Sequence, residues 1–128
     1  MNTSESPVRH HLLRALSATA LIVALPFLTA CGSSSADITG VWQPDDGSGI
    51  KTVNADGSCT GMYYDQGQPL DIGGGMSCAL GEKDQDGEYL LVVRQPPNER
   101  TYRVRFDGSD TAVLMDNSGN TIVTLTRQ

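Results

Sequence analysis

Turn signals recur about every ten residues after residue 45, and they constrain the fold of this chain more than any other feature. Six short segments place Asp or Asn just before Gly, at residues 46–47, 56–57, 65–67, 86–87, 107–108 and 117–119. Gly and Asn readily take the positive φ that tight hairpin turns require. Short strands joined by such turns at this spacing are typical of all-β domains. The pattern predicts an antiparallel meander, in which strands pair in sequence order.

Between the turns the hydrophobic pattern has a period of two. Tyr102, Val104 and Phe106 alternate with polar side chains, which is typical of a strand with one buried face and one wet face. No segment after residue 37 keeps helical spacing for three turns. The predicted strands cover residues 38–43, 49–55, 58–64, 69–72, 76–81, 88–95, 100–106, 110–116 and 120–127. The segment 69–72 is the weakest of these, because Pro69 and the glycines at 73–75 interrupt it.

The strand count predicts an all-β fold, a small antiparallel meander barrel of about eight strands over residues 38–128. Closure into a barrel removes the exposed edges that an open meander would leave. An open curved sheet or a two-sheet sandwich is the alternative. The apolar side chains of the strands suffice to fill a barrel of this size, so we expect a packed interior. A shallow pocket at one mouth, near residues 73–75 and Met76, stays open as an alternative.

The first thirty residues have the layout of an export signal. Residues 1–14 are polar and mildly basic, and residues 15–28 form an apolar run without a charge. A basic head followed by a short apolar run and small residues is typical of a secretory signal peptide. The run is too short to span a bilayer comfortably, which takes about 20 apolar residues. We therefore predict that residues 1–30 are removed from the mature protein.

The segment Leu28-Thr29-Ala30-Cys31 resembles the lipobox of bacterial lipoproteins. The resemblance implies cleavage before Cys31, a diacylglyceryl group on its sulfur and usually an acyl chain on its amino group. Two or more chains, at about 0.8 kcal/mol per buried CH₂, hold a protein stably on a membrane. Residues 31–37, which include Gly32 and three serines, are then the lipidated cysteine and a flexible spacer. The predicted location is the cell membrane or outer membrane, with the domain outside the cytoplasm.

The composition of the mature chain excludes several functions. Residues 31–128 carry seven basic and fourteen acidic residues, a net charge of −7 over 98 residues. Such an acidic domain is a poor candidate for binding nucleic acid or anionic lipid head groups. Both histidines, His10 and His11, lie in the predicted signal, so the mature chain lacks the residue required by Ser-His-Asp catalysis and His-ligated zinc. We predict no enzymatic activity, no cofactor and no metal.

Two cysteines remain in the mature chain besides Cys31. Cys59 and Cys78 belong to an exported protein, where pairing is the default. A bridge that closes a loop of about 20 residues contributes about 3 kcal/mol to stability on the chain-entropy model. The sequence predicts a Cys59–Cys78 disulfide. Two free thiols or a redox pair is the alternative, and the spacing is not the Cys-x-x-Cys of redox sites.

The segment Gly40-Val41-Trp42 resembles the Gly-x-Trp motif of lipocalin-like barrels. In that family the tryptophan closes one end of the barrel, and an arginine after the last strand stacks on its ring. Arg127 is similarly placed near the end of the chain, so the resemblance implies a Trp42–Arg127 pair that closes the barrel. Such a cation–π contact contributes about 0.5–2 kcal/mol. The chain is about half the usual length of lipocalins, and it lacks their other signature loops.

Four of the five arginines of the mature chain lie within twelve positions, at Arg94, Arg100, Arg103 and Arg105. This cluster is a candidate site for an anionic group such as a phosphate or a carboxylate. The alternative is that the arginines pair with Asp and Glu on neighbouring strands.

The sequence therefore predicts a non-catalytic, membrane-anchored envelope lipoprotein. We expect it to bind a small apolar molecule or another envelope protein. One alternative is a protein similar in architecture to the membrane-bound lysozyme inhibitors of bacteria. The Ser-Gly…Tyr pattern of that family is not evident, because Ser118-Gly119 is followed by Asn120 and Thr121. The other alternative is a structural lipoprotein without a specific ligand.

Overall fold

A computed structural model describes residues 36–128; the predicted signal at 1–30 and Cys31 lie outside the described residues. The described chain contains ten β-strands and no helix, which confirms the all-β prediction. The strands are β1 (Gly40–Pro44), β2 (Lys51–Val53), β3 (Cys59–Thr60), β4 (Tyr64–Asp65), β5 (Gln68–Pro69), β6 (Ser77–Lys83), β7 (Tyr89–Gln95), β8 (Asn98–Asp107), β9 (Thr111–Met115) and β10 (Thr121–Arg127). No helix that could cross a membrane occurs in this part of the chain.

Eight of the strands form one antiparallel sheet in the order β3-β2-β1-β10-β9-β8-β7-β6. In every neighbouring pair except β1–β10, the two strands also follow each other directly along the chain. The sheet is therefore a meander. The β1–β10 pair joins the first and last strands, with Trp42 opposite Arg127. The predicted meander of about eight strands is confirmed.

The two edges of this sheet, β3 and β6, meet at a short seam that nearly closes the barrel. Ser58 and Ser77 form an isolated antiparallel bridge there. Around it the Cys59 N–H donates to the Met76 carbonyl at 3.0 Å, and the Cys78 N–H donates to the Gly57 carbonyl at 2.8 Å. The Cys59–Cys78 disulfide joins the same two strands, with 5.9 Å between the Cα atoms. The predicted disulfide is confirmed. It joins the two strands whose backbone ladder is the shortest around the barrel.

Alternate side chains of the strands fill the inside of the barrel. The residues with no exposed surface are Trp42, Met62, Leu91, Val93, Val104, Ala112, Leu114 and Leu125. They come from β1, β7, β8, β9 and β10 and from the segment after β3, so the core is continuous across the sheet. This interior is packed with side chains, as the number of apolar residues indicated.

The segment 69–72 does not form a barrel strand. Instead β4 and β5 make a separate two-stranded hairpin, with Gln66 and Gly67 at positive φ in its turn. Pro69 has no N–H to donate to a ladder, so a continuous strand is disfavoured at this point. The following loop is attached to the barrel by the buried Gln95, whose Nε2 donates to Asp71 Oδ1 at 2.6 Å and to the Gly73 carbonyl at 3.3 Å.

The strand order assigns every turn to one of two barrel ends. The proximal end contains the start of β1, the turns at 54–57, 84–88 and 108–110, and the end of β10. The distal end contains the turns at 45–50, 96–97 and 116–120 and the whole segment 61–76, including the β4–β5 hairpin.

Candidate functional site at the distal end

The Trp42–Arg127 pair lies at the proximal end. Trp42 has no exposed surface, and its Nε1–H donates to the Ile38 carbonyl at 2.8 Å. The Arg127 guanidinium lies 4.2 Å from the ring centroid of Trp42. Its nitrogens donate to three backbone carbonyls, those of Asp37, Thr39 and Ser109, at 2.5–2.9 Å. Arg127 therefore ties the segment before β1 to the turn before β9, and each of its three nitrogens donates one hydrogen bond within the fold.

Gly40 makes this arrangement sterically feasible. Its φ is +141°, and a Cβ at this position would lie 2.5 Å from Arg127 Nη1. A side chain at residue 40 would therefore displace the guanidinium from the Trp42 ring. The glycine and the tryptophan of the Gly-x-Trp segment thus serve the same contact.

The four clustered arginines do not form one site. Arg94 pairs with Glu99, and Arg100 pairs with Asp65. Arg103 lies 2.6 Å from Glu88 Oε2 and 3.6 Å from carboxylate oxygens of Asp84 and Asp86. Within the described residues Arg105 has no ion pair. Pairing with nearby carboxylates therefore accounts for three of the four, and only Arg100 contributes to a cleft at the distal end.

We call this cleft, of about 490 Å³, the distal cleft. It lies between the β4–β5 turn, the first residues of β8 and the β9–β10 turn. Its lining residues are Tyr64, Asp65, Gln66, Gly67, Arg100, Thr101, Tyr102, Asp116, Asn117, Thr121 and Ile122. Most of these side chains carry a hydrogen-bonding group. The cleft occupies a different part of the distal mouth from residues 73–75, where the sequence had suggested a pocket.

The Tyr102 hydroxyl fixes one wall of the distal cleft. It accepts a hydrogen bond from the Tyr64 N–H at 2.7 Å and donates one to the Tyr64 carbonyl at 2.8 Å. The preceding residue, Tyr63, accepts a hydrogen bond from the Leu70 N–H, so its backbone faces the β5 side of the hairpin. Because successive residues of a strand face opposite sides, the backbone N–H and carbonyl of Tyr64 point away from β5. One phenol therefore satisfies both backbone groups that a neighbouring strand would otherwise pair.

A buried polar network lies beneath this wall. The Tyr64 hydroxyl donates to Asp46 Oδ2 at 2.8 Å, and Lys51 Nζ donates to Ser48 Oγ at 2.9 Å. Lys51 is only 1% exposed, and its Nζ lies 4.9 Å from the centroid of the Tyr64 ring. Burial lowers the pKa of Lys51. Burial acts to raise the pKa of Asp46, but hydrogen bonds from Ser48 and Tyr64 outweigh it, so that pKa is lowered.

Tyr64, Tyr102 and Lys51 are not among the site residues that the sequence predicts. The only signal for Lys51 was its position on the same face as Val53 in a period-two pattern, which places a charged side chain inside. Nothing local marked the two tyrosines, because their bonds join residues 38 positions apart.

Raising the pH should destabilise the fold through these tyrosines. Burial raises the pKa of Tyr102 to about 12, and burial followed by the hydrogen bond to Asp46 raises the pKa of Tyr64 further above its ordinary value. Unfolded tyrosine titrates near pH 10, so between pH 10 and 12 the unfolded chain loses protons that the folded chain keeps. The contribution of these two tyrosines to the free energy of unfolding should therefore be constant below about pH 10 and fall by about 1.4 kcal/mol per pH unit for each tyrosine between about pH 10 and 12.

Urea unfolding at pH 8.0, 10.5 and 11.0 tests this effect, with Tyr102→Phe as the matched variant. At pH 8.0 the variant should be less stable by about 1–3 kcal/mol, because the Tyr64 backbone groups lose their partner. Its stability should then fall less steeply with pH than that of the wild type. Parallel pH profiles for the two proteins would show that Tyr102 does not titrate in this way.

The arrangement offers hydrogen-bond donors and acceptors and is suited to binding. Within residues 36–128 no group of three or more His, Cys, Asp or Glu side chains is placed to hold a metal ion. No protein-family model, no curated protein and no solved structure matches the chain. The candidate site therefore rests on its own geometry.

Proposed function

We propose that this protein is a membrane-anchored envelope lipoprotein whose barrel binds another envelope protein through the distal cleft, without catalysis. One observation carries the proposal: the described chain begins at the proximal end, whereas the distal cleft lies at the opposite end. Cys31 precedes Ala36 by five residues, a span of at most about 17 Å. A lipid on Cys31 therefore holds the proximal end near the membrane and leaves the distal cleft free to meet a partner.

The chemistry of the distal cleft favours a protein segment over a small apolar molecule. The barrel axis is filled by side chains with no exposed surface, among them Leu91, Val104 and Leu114. The distal cleft itself presents Thr101, Asn117 and other hydrogen-bonding side chains. Polar groups placed in this way fix the orientation of a partner by hydrogen bonds.

A second cleft, of about 460 Å³, lies at the proximal end and is a weaker candidate. It is lined in part by Tyr89 and Phe106, whose rings meet edge to face with centroids 5.5 Å apart. Arg127 also lines it, but the nitrogens of that side chain already bond to backbone carbonyls. Ala36 is one of its lining residues, so an anchor on Cys31 would keep this cleft close to the lipid.

Site-specific photo-crosslinking in intact envelopes tests the proposed function. A photoreactive amino acid at Asn117, which is exposed in the distal cleft, should give a covalent adduct with a partner protein. The matched control is Gln85, which is also exposed but lies in the 84–88 turn at the proximal end. The same adduct should be weak or absent from position 85.

Two results would contradict the proposed function. One is equal adduct yield from positions 117 and 85, which would indicate nonspecific collision. The other is the absence of any adduct from position 117 while the protein is present in the membrane fraction at wild-type level.

A further inference from the structure

Strand β8 is longer than its neighbour β9, and the difference opens one edge of the barrel wall. Strand β8 pairs with β7 from Asn98 to Val104. Its ladder with β9 runs only from Asp107 back to Arg103, which lies opposite Met115 at the end of β9. Residues 98–102 therefore have a strand on one side and, within the described chain, none on the other.

The alternation of an antiparallel ladder determines which backbone groups face this open side. The Cys78 N–H donates away from β7, to the Gly57 carbonyl. Val93, opposite Cys78, must then bond to β8, where it pairs with Arg100. Arg100 and Tyr102 consequently bond to β7, and the backbone of Thr101 between them faces the other way.

The opposite side of the sheet gives the same assignment independently. The Arg127 N–H donates to the Asp110 carbonyl, which fixes the alternation between β10 and β9. It follows that Met115 bonds to β8, to Arg103 opposite it. Thr101 continues the row of Arg103 by two residues, past the last residue of β9.

The backbone N–H and carbonyl of Thr101 therefore open into the distal cleft, which Thr101 lines. No residue of the described chain pairs with it on this side. The nearby strand β4 provides a contrast, because the Tyr102 hydroxyl satisfies its outward backbone groups. A free donor and acceptor on one residue are what a neighbouring strand would pair with.

We propose that the distal cleft takes an extended peptide segment of the partner, which adds to β8 as a further strand and bonds to the N–H and carbonyl of Thr101. This assignment rests on the proposed function and names the chemistry that the site recognises. In strand addition the main chain supplies affinity, and pockets for alternate side chains supply specificity. Five residues of open strand span about 17 Å, which suits a segment of four to six residues.

The walls of the distal cleft indicate how side chains of this segment are recognised. Asn117 and Thr121 line the distal cleft together with Thr101, and the Arg100–Asp65 ion pair is part of the same lining. Because successive side chains of a strand point to opposite faces, every second side chain of the segment would face into the distal cleft. We expect polar, uncharged side chains at those positions, since Arg100 already has a carboxylate partner.

A peptide with blocked amides tests the proposal from the ligand side. Hexapeptides that bind the purified full-length protein are selected from a random display library, and the tightest binder is resynthesised with one N-methyl group at each position in turn. Methylation removes an N–H donor and hinders strand pairing. Glu99 lies two residues from Thr101 and by the same alternation also faces the open side. We expect affinity to fall at least tenfold at the two alternate positions whose N–H groups face the carbonyls of Thr101 and Glu99, and to change less than threefold at the position between them.

Variants at Thr101 test it from the protein side. Thr101→Pro removes the backbone N–H of residue 101, which faces away from β7, and proline is tolerated at such positions of an edge strand. The variant should bind the selected peptide at least tenfold more weakly. Thr101→Val keeps the N–H and is the matched control, with an affinity within twofold of wild type. If the proline variant does not fold, hydrogen exchange of the Thr101 amide in the wild-type protein is the alternative test. Saturating peptide should slow that exchange at least tenfold.

The outcomes separate this proposal from the proposed function. An adduct at Asn117 that Thr101→Pro leaves unchanged, or N-methyl effects without alternation, would overturn strand addition while the binding function stands. Failure to select any hexapeptide would also overturn it. If the protein gave neither an adduct from position 117 nor any peptide binding, the proposed function and strand addition would both be overturned.

Discussion

Trp42→Ala is expected to lower the free energy of unfolding by about 3–5 kcal/mol, which is the range for removing a large buried aromatic side chain. Trp42 has no exposed surface and lies at the proximal end of the core. The substitution also removes the hydrogen bond to the Ile38 carbonyl and leaves the Arg127 guanidinium without the ring beneath it. Because small domains have only about 5–15 kcal/mol of stability, this single substitution should remove a large fraction of it.

Urea unfolding followed by far-UV circular dichroism measures this loss, and Val41→Ala is the matched control. Val41 is the next residue on β1, but its side chain points outward and is 42% exposed. Its truncation should change stability by no more than about 0.5 kcal/mol. A loss below about 1 kcal/mol for Trp42→Ala would mean that the tryptophan does not close the proximal end.

The paired substitution Cys59→Ser/Cys78→Ser is expected to lower stability by about 3 kcal/mol, because the bridge closes a loop of about 20 residues. Its position adds a structural reason. The disulfide spans the seam between β3 and β6, where two backbone hydrogen bonds close the barrel wall. For a domain of this length, about 3 kcal/mol corresponds to a fall in Tm of roughly 12–24 °C.

Thermal unfolding with and without a reductant tests the disulfide in two ways. Reductant should lower the Tm of the wild type to that of the double variant and should leave the double variant unchanged. Amide exchange should also accelerate first at Cys59 and Cys78, whose N–H groups form the seam, while Val93 in the centre of the sheet stays protected. A fall in Tm of less than about 4 °C, or equal exchange at both places, would show that the seam does not depend on the bridge.

The fold was predictable because turn chemistry and side-chain alternation are local. Residues 101–106 alternate in sequence and in the structure, with Tyr102 and Val104 inside and Arg103 and Arg105 on the outer face. The disulfide followed from cysteine number and the predicted export. By contrast, the turn at 65–67 was predicted, but the separation of the β4–β5 hairpin from the barrel sheet was not, because Tyr64 is held by the hydroxyl of a residue on β8.

The candidate site was less predictable than the fold. The arginine cluster marked residues that mostly pair with carboxylates, and only Arg100 reaches the distal cleft. Thr101 carried no signal at all, since its open backbone arises from the different lengths of β8 and β9. A mismatch between strand lengths is a property of the assembled sheet and not of any segment.

In the proposed function, the distal cleft faces a partner because a lipid on Cys31 attaches the chain to the membrane. Mass spectrometry of the protein extracted from membranes tests this attachment most directly. We predict a chain that begins at Cys31 and whose N-terminal peptide carries a diacylglyceryl group, with or without a further acyl chain. A chain that begins at another residue, or an unmodified Cys31 in the membrane fraction, would contradict it.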